Sequence, residues 1–172
     1  LHLLRSLLGA LQEERDLLMD EYRILFMTKV SCPTSEGSYH LAERGPLLGD
    51  VAAFYEAFRV KMRSESGPPD AMKIELAFMH YMALKKVNAL EQGLTDEYEI
   101  TEDAEKKFLD DHLGRWGERF GNKLRGVTEM KYYRILADLL KQWIAEECTS
   151  FQISPAPLPI SLASLDHDDA LQ

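Results

Sequence analysis

Along nearly the whole of this chain the apolar residues recur at the helical step, and that period restricts the fold more than any other feature. Over residues 3–29, Leu4, Leu7, Leu8, Leu11, Leu18, Tyr22, Leu25 and Phe26 share one side, with Glu, Arg and Asp opposite. Leu47 to Met62 repeats the pattern with Val51, Phe54, Tyr55 and Phe58. A last stretch carries Met130, Tyr133, Leu136, Leu140 and Ile144. No run alternates with period two and no segment repeats. The expectation is an all-α chain, folded as a single multi-helix globular domain over residues 1–153.

The breaks between helices follow from Pro and Gly. Residues 30–46 contain Pro33, Gly37, Gly45 and Pro46 and read as a long irregular connection. Gly67-Pro68-Pro69 is a rigid joint, because Pro fixes φ and drives the preceding residue out of the helical region. A hinge is therefore expected near residues 64–70. Asp70 then reads as the N-cap of a helix running to about Gln92 and closed by Gly93. Thr95–Ile100 reads as an acidic connector. Thr101 reads as the cap of a helix reaching about Leu124, and Thr128 as the cap of the last one. Residues 154–172, opening Ser-Pro-Ala-Pro-Leu-Pro, form an extended, acidic, Pro-rich tail.

Charge narrows the partners. Residues 64–112 hold five basic and twelve acidic side chains, a net of −7 within a chain total of −9. A nucleic-acid partner needs a basic footprint, so none is expected. The acidity suits a cationic partner or is simply a solvated face. No apolar run approaches the roughly 20 residues that span a bilayer, so no stable membrane insertion is expected. The first residues read as an amphipathic helix rather than a signal peptide. Cys32 and Cys148 lie in no metal or disulfide pattern and fit reduced thiols of the cytoplasm.

Catalytic constellations are missing. No His has a Glu three residues before it, as a di-iron bundle requires, and there is no phosphate-cradling Gly-rich loop. No catalytic residue, metal ligand or cofactor of its own is expected. One face does draw attention: Phe108, His112, Trp116 and Phe120 follow one another by helical turns. Trp116 and Phe120 read as core, and His112 as either a polar neighbour of that core or part of a binding face. Gly114, Gly117 and Gly121 in the same helix each cost about 1 kcal/mol relative to Ala, so something packs close there.

The Asp70 joint and the His112 face together, about 40 residues apart, resemble the TorD/DmsD/NarJ family of redox-enzyme maturation chaperones. That family carries Pro-x-Asp-His-x-x-x-Glu-Leu-x-Phe-Met, and Pro68, Asp70, Glu75, Leu76, Phe78 and Met79 occupy it here. Its His-Leu-x-Pro-Trp motif is similar to His112, Leu113 and Trp116. Its Tyr-x-x-Leu-Phe helix and a loop of Pro, Ser and Tyr look like Tyr22, Phe26, Pro33, Ser35 and Tyr39. Two positions depart: Ala71 stands where the family has His, and Arg115 where it has Pro.

The resemblance implies a cytoplasmic, TorD-like, system-specific chaperone without catalysis. It would bind the twin-arginine signal peptide, or the apo-form, of a molybdopterin oxidoreductase, assist cofactor insertion and prevent premature export. Such a peptide offers an Arg pair and then an apolar stretch. Asp70, Glu75 and Asp111 then supply charge, with Asp110 beside them. Tyr22, Phe26, Pro69, Phe78, Met79, Met82, His112 and Trp116 line the remainder. The molecule would be a monomer or a homodimer, the Pro-Pro joint being the kind of linker on which domain swapping turns. The alternative is a non-catalytic helical assembly subunit permanently paired with a partner protein.

Overall fold

The computed structural model describes residues 2–40 and 44–159. Its helices are α1 (His2–Glu14), α2 (Leu18–Tyr22), α3 (Arg44–Ala57), α4 (Met72–Gln92), α5 (Thr95–Phe108), α6 (Gly114–Val127) and α7 (Lys131–Phe151). π-helical turns extend α2 over Arg23–Thr28 and join α5 to α6 over Leu109–Leu113. Among the described residues there is no strand, only an isolated antiparallel bridge between Ser35 and Ala71. The chain is all-α. It groups into two compact units: Leu1–Thr34 with Trp116–Ser154, and Ser35–Arg115 with the chain from Pro155. The joint at 64–70 lies inside the second unit.

In the first unit α1 packs along α7. The expected unbroken helix over 3–29 turns at Arg15–Leu17 instead, where the Leu17 N–H meets the Glu14 carbonyl. Glu14, the last residue of α1, reaches α7 from that point. Its carboxylate accepts the N–H groups of Lys131 (2.9 Å) and Tyr132 (2.7 Å), the otherwise unpaired donors at the start of α7. Thr128 contributes less to that cap than expected: its Oγ accepts only the Met130 N–H and donates to Glu21. Ala10 is buried, while Leu4, Leu8 and Leu11 are exposed. The core-facing side of α1 is thus displaced from the stripe of largest residues.

Close approach at the helix glycines is met in two ways. A Cβ on Gly121 would fall 2.6 Å from Lys141 Cγ and 3.3 Å from the Ala137 carbonyl, so within the first unit α7 fills the space. A Cβ on Gly114 would fall 2.5 Å from the Leu109 carbonyl and 2.6 Å from Pro155 Cγ, in the second unit. That position serves both the widened π turn and the chain segment laid against it. Cys32 is buried with its thiol toward the Phe120 carbonyl at 4.0 Å, and it forms no disulfide with Cys148.

In the second unit α4 and α5 form a hairpin. Gly93 takes the left-handed conformation (φ 68°) that closes α4, as expected, and helix resumes two residues later. The acidic connector is therefore helical. Thr101 is buried in mid-helix, where its Oγ bonds back to the Glu97 carbonyl instead of capping. Phe54, Tyr55, Phe58, Phe78 and Phe108 form a ring cluster, of which Tyr55, Phe78 and Phe108 are buried, with Phe78 and Phe108 centred 4.7 Å apart. From Ser154 to Pro159 the chain is no longer helical, and Leu158 is buried. Of the tail expected over 154–172, residues 160–172 lie outside the described residues.

Gly114→Ala is the sharpest test of this packing. Its Cβ meets backbone and a ring rather than a flexible side chain, so stability should fall by about 1–3 kcal/mol, read from urea unfolding. A variant as stable as the parent would contradict the close approach.

Candidate functional site

The second unit gathers a polar cluster that neither sequence motif contains alone. Pairing of the loop after Thr34 with the Pro-Pro joint creates it. The Glu36 N–H donates to the Asp70 carbonyl (2.8 Å), and Ser35 bridges Ala71. The Tyr55 hydroxyl donates to the Pro69 carbonyl at 2.9 Å. Gly67, at φ 95°, supplies a conformation that other residues reach only with strain and so admits the chain into Pro68-Pro69.

Asp70 does not cap α4. Ala71 stands at the cap position with no side-chain bond, and the Asp70 carboxylate points the other way. It accepts the Gly37 N–H (2.9 Å) and Nη2 of Arg44 (3.1 and 3.2 Å to its two oxygens). A carboxylate that is 0% exposed needs a charged partner more than the helix end needs a cap. Arg44 Nη2 also reaches Ser35 Oγ at 3.1 Å.

His112 is 1% exposed. Its Nδ1 lies 3.1 Å from Glu36 Oε2 and its Nε2 3.3 Å from Asp50 Oδ2. Phe54 stands edge-on to the imidazole at 5.6 Å, and Phe108 lies at 5.2 Å. Glu36 is thus the link between the two motifs: its backbone holds the Asp70 joint and its side chain holds His112. Burial above all, then the charges of Glu75, Asp70 and Glu36, pushes the Tyr55 phenol well above its usual range.

The expected site residues divide between the units. Pro69, Asp70, Glu75, Phe78, Met79, Asp111 and His112 belong to the second; Tyr22, Phe26 and Trp116 belong to the first. Asp70, Glu75, Phe78, Met79, His112 and Trp116 are buried, and Phe78 and Met79 serve as core. Asp111 is half-exposed and ion-paired with Lys107, whose pKa that hydrogen bond raises. Tyr22 is exposed, 5.2 Å from the Phe26 ring, which meets Tyr133 edge-on. Burial, with smaller contributions from Tyr132, Glu21 and Tyr22, lifts the Tyr133 phenol to about 12. Trp116 packs on Phe120 at 5.8 Å.

Glu36, Gly37, Arg44, Asp50 and Tyr55 did not stand out in the sequence as site residues: Gly37 read as a helix breaker and Tyr55 as an apolar helix position. The signal available was an acidic residue and a glycine inside the Pro33–Tyr39 loop. The two departures also have structural readings. Ala71 is buried where the family has His. Arg115, where it has Pro, keeps α6 unbroken; its Nε donates to the Ala156 carbonyl (3.0 Å) and its own carbonyl accepts the Leu158 N–H. Among the described residues no group of three or more His, Cys, Asp or Glu could hold a metal ion, and no helix is long and apolar enough to cross a membrane.

The chain is all-α, and the family match over residues 1–122 puts it in the class of redox-enzyme maturation chaperones. Residues 1–122 match the family described as nitrate reductase delta subunit, and the chain belongs to that family. These are maturation factors rather than catalysts, and their clients are nitrate reductase-type molybdoenzymes. No curated protein and no solved structure gives a significant match.

Two measurements probe the cluster. A Cβ on Gly37 would fall 2.8 Å from Arg44 Nε and 3.0 Å from Asp70 Oδ2. Gly37→Ala should cost about 1–2 kcal/mol, and most of that cost should vanish in an Arg44→Ala background, as a double-mutant cycle would show. The second is alkaline. Because the folded phenol of Tyr55 titrates above its ordinary value of 10.0, its contribution is complete below that pH and is lost as pH rises beyond it. Tyr55→Phe, less stable at pH 8, should lose less stability than the parent between pH 10 and 11.5, an interval above the ordinary tyrosine value of about 10.

Proposed function

We propose that this chain is a cytoplasmic, non-catalytic, system-specific chaperone for a molybdopterin oxidoreductase of the nitrate reductase type. It binds the client's twin-arginine signal peptide, its apo-form, or both, until the cofactor has been inserted, and so prevents premature export. The observation that carries this reading is the exterior of the second unit. Along the outer side of α4, Tyr81, Leu84, Val87 and Leu90 are exposed, and Leu94 follows at the hairpin tip. Asp96 and Glu97 open α5 directly beyond them. An exposed apolar row ending in carboxylates, within a −7 segment, complements a peptide carrying an Arg pair and then an apolar stretch. In this reading Asp70, Glu75 and Asp111 supply further negative charge, with Pro69 and His112 beside them. In the first unit Tyr22 and Phe26 offer aromatic surface of their own.

Calorimetry with a twin-Arg peptide and its Lys-Lys counterpart tests it. The Arg form should bind about tenfold tighter, since only guanidinium pairs with carboxylates through two parallel bonds. Leu84→Glu with Leu90→Glu should weaken both peptides alike. Equal affinity for the two forms, or none for either, would refute the charge-pairing recognition. A second reading, permanent pairing as an assembly subunit, draws on the exposed row Leu4, Leu8 and Leu11 of α1. It expects association or precipitation of the isolated chain, whereas a monodisperse, peptide-binding protein speaks for the chaperone.

A further inference from the structure

We infer that the Asp70 carboxylate, cradled by the Gly37 N–H, is a guanidinium-binding site whose built-in occupant, Arg44, is exchanged for an arginine side chain of a partner. Only the partner's identity as the client peptide rests on the function proposed above; the site stands on its own geometry.

The pair is lopsided. The Asp70 side chain is 0% exposed, while that of Arg44 is 47% exposed. A buried carboxylate is thus matched by a cation that stands half in water, the half of the pair that is open to exchange. The pairing is also poorer than a guanidinium allows. One nitrogen, Nη2, serves both Asp70 oxygens and Ser35 Oγ together. The strong arrangement uses two nitrogens in parallel, and α3, which begins at Arg44, holds that side chain from one fixed direction. An arginine approaching from outside is not so constrained.

The surroundings call for a cation in that place. Glu36, directly before Gly37, is 0% exposed, and its Oε1 has no hydrogen-bond partner among the described residues. Asp70, Glu36 and Glu75 all bear on the Tyr55 hydroxyl, so three carboxylates lie within electrostatic reach of one buried point. Removing Arg44 without replacement leaves this charge uncompensated, which is strongly unfavourable. An ammonium brings the charge but not the fork. Gly37 keeps the space itself open, because a Cβ there would fall 2.8 Å from Arg44 Nε, where the guanidinium lies.

The experiment is an amide ¹H–¹⁵N titration of the full chain with methylguanidinium, and with methylammonium as control, in the parent and in Arg44→Gln. In Arg44→Gln the Gly37 amide should move saturably with methylguanidinium, about tenfold more tightly than with methylammonium. The parent should need about tenfold more ligand, because Arg44 must first be displaced. Adding Asp70→Asn should abolish the response. No saturable shift in folded Arg44→Gln, equal midpoints in the parent and the variant, or a response that survives Asp70→Asn would each overturn the site. Should Arg44→Gln fail to fold alone, methylguanidinium is expected to restore its dispersed spectrum, and no restoration overturns the site equally. A twin-Arg peptide should bind Arg44→Gln more tightly than the parent. If methylguanidinium saturates the site and the peptide binds neither protein, the peptide function falls and the guanidinium site remains.

Discussion

Burial of the Asp70 carboxylate is the constraint on which the rest of the second unit depends. A charge removed from water must be met by hydrogen bonds and an opposite charge. Meeting it draws three stretches of chain together: Gly37 brings an N–H, Arg44 a guanidinium, and the Pro68-Pro69 joint holds the acid in place. Tyr55 fastens that joint from α3 through the Pro69 carbonyl. The consequence is local order in a region whose sequence reads as loop on both sides.

The same loop extends that order to His112. Glu36 gives its N–H to the Asp70 carbonyl and its carboxylate to the imidazole. Two motifs far apart in sequence therefore act as one assembly, and the residue that joins them belongs to neither. The π-helical turn over Leu109–Leu113 contributes locally, since it presents His112 between Phe54 and Phe108. Such turns arise where a helix sacrifices regular bonding for a particular placement of one side chain. Gly114 accommodates the widened turn, and Arg115 holds the non-helical chain at Ala156.

The chain belongs to the nitrate reductase delta subunit family, a family of maturation factors. Its acidity is not evenly employed. Asp70, Glu36, Glu75 and Glu105 are buried, and the last is ion-paired with Lys86. Asp96, Glu97 and Asp103 remain in water beside exposed apolar residues of the α4–α5 hairpin. Buried acids organise the unit, and exposed ones leave a negative field at its surface.

Sequence alone determined the class of fold, because helical periodicity is a local property that survives without knowledge of neighbours. Helix existence, the left-handed Gly93 and the end of helix at the Pro-rich stretch were all legible on that basis. The start of α5 was not: its buried face is Thr101, Glu105 and Phe108, two of them polar, so the apolar pattern fell silent there. Nor was the turn after Glu14, whose carboxylate serves α7 more than a hundred residues away. The candidate site was half legible. Asp70 and His112 stood out as motif residues, but the sequence pointed to a helix cap for one and left the other between core and binding face. Tertiary structure decided both roles, because only the folded chain places Glu36, Gly37 and Arg44 beside them, and a buried charge takes whatever partner the fold brings within reach.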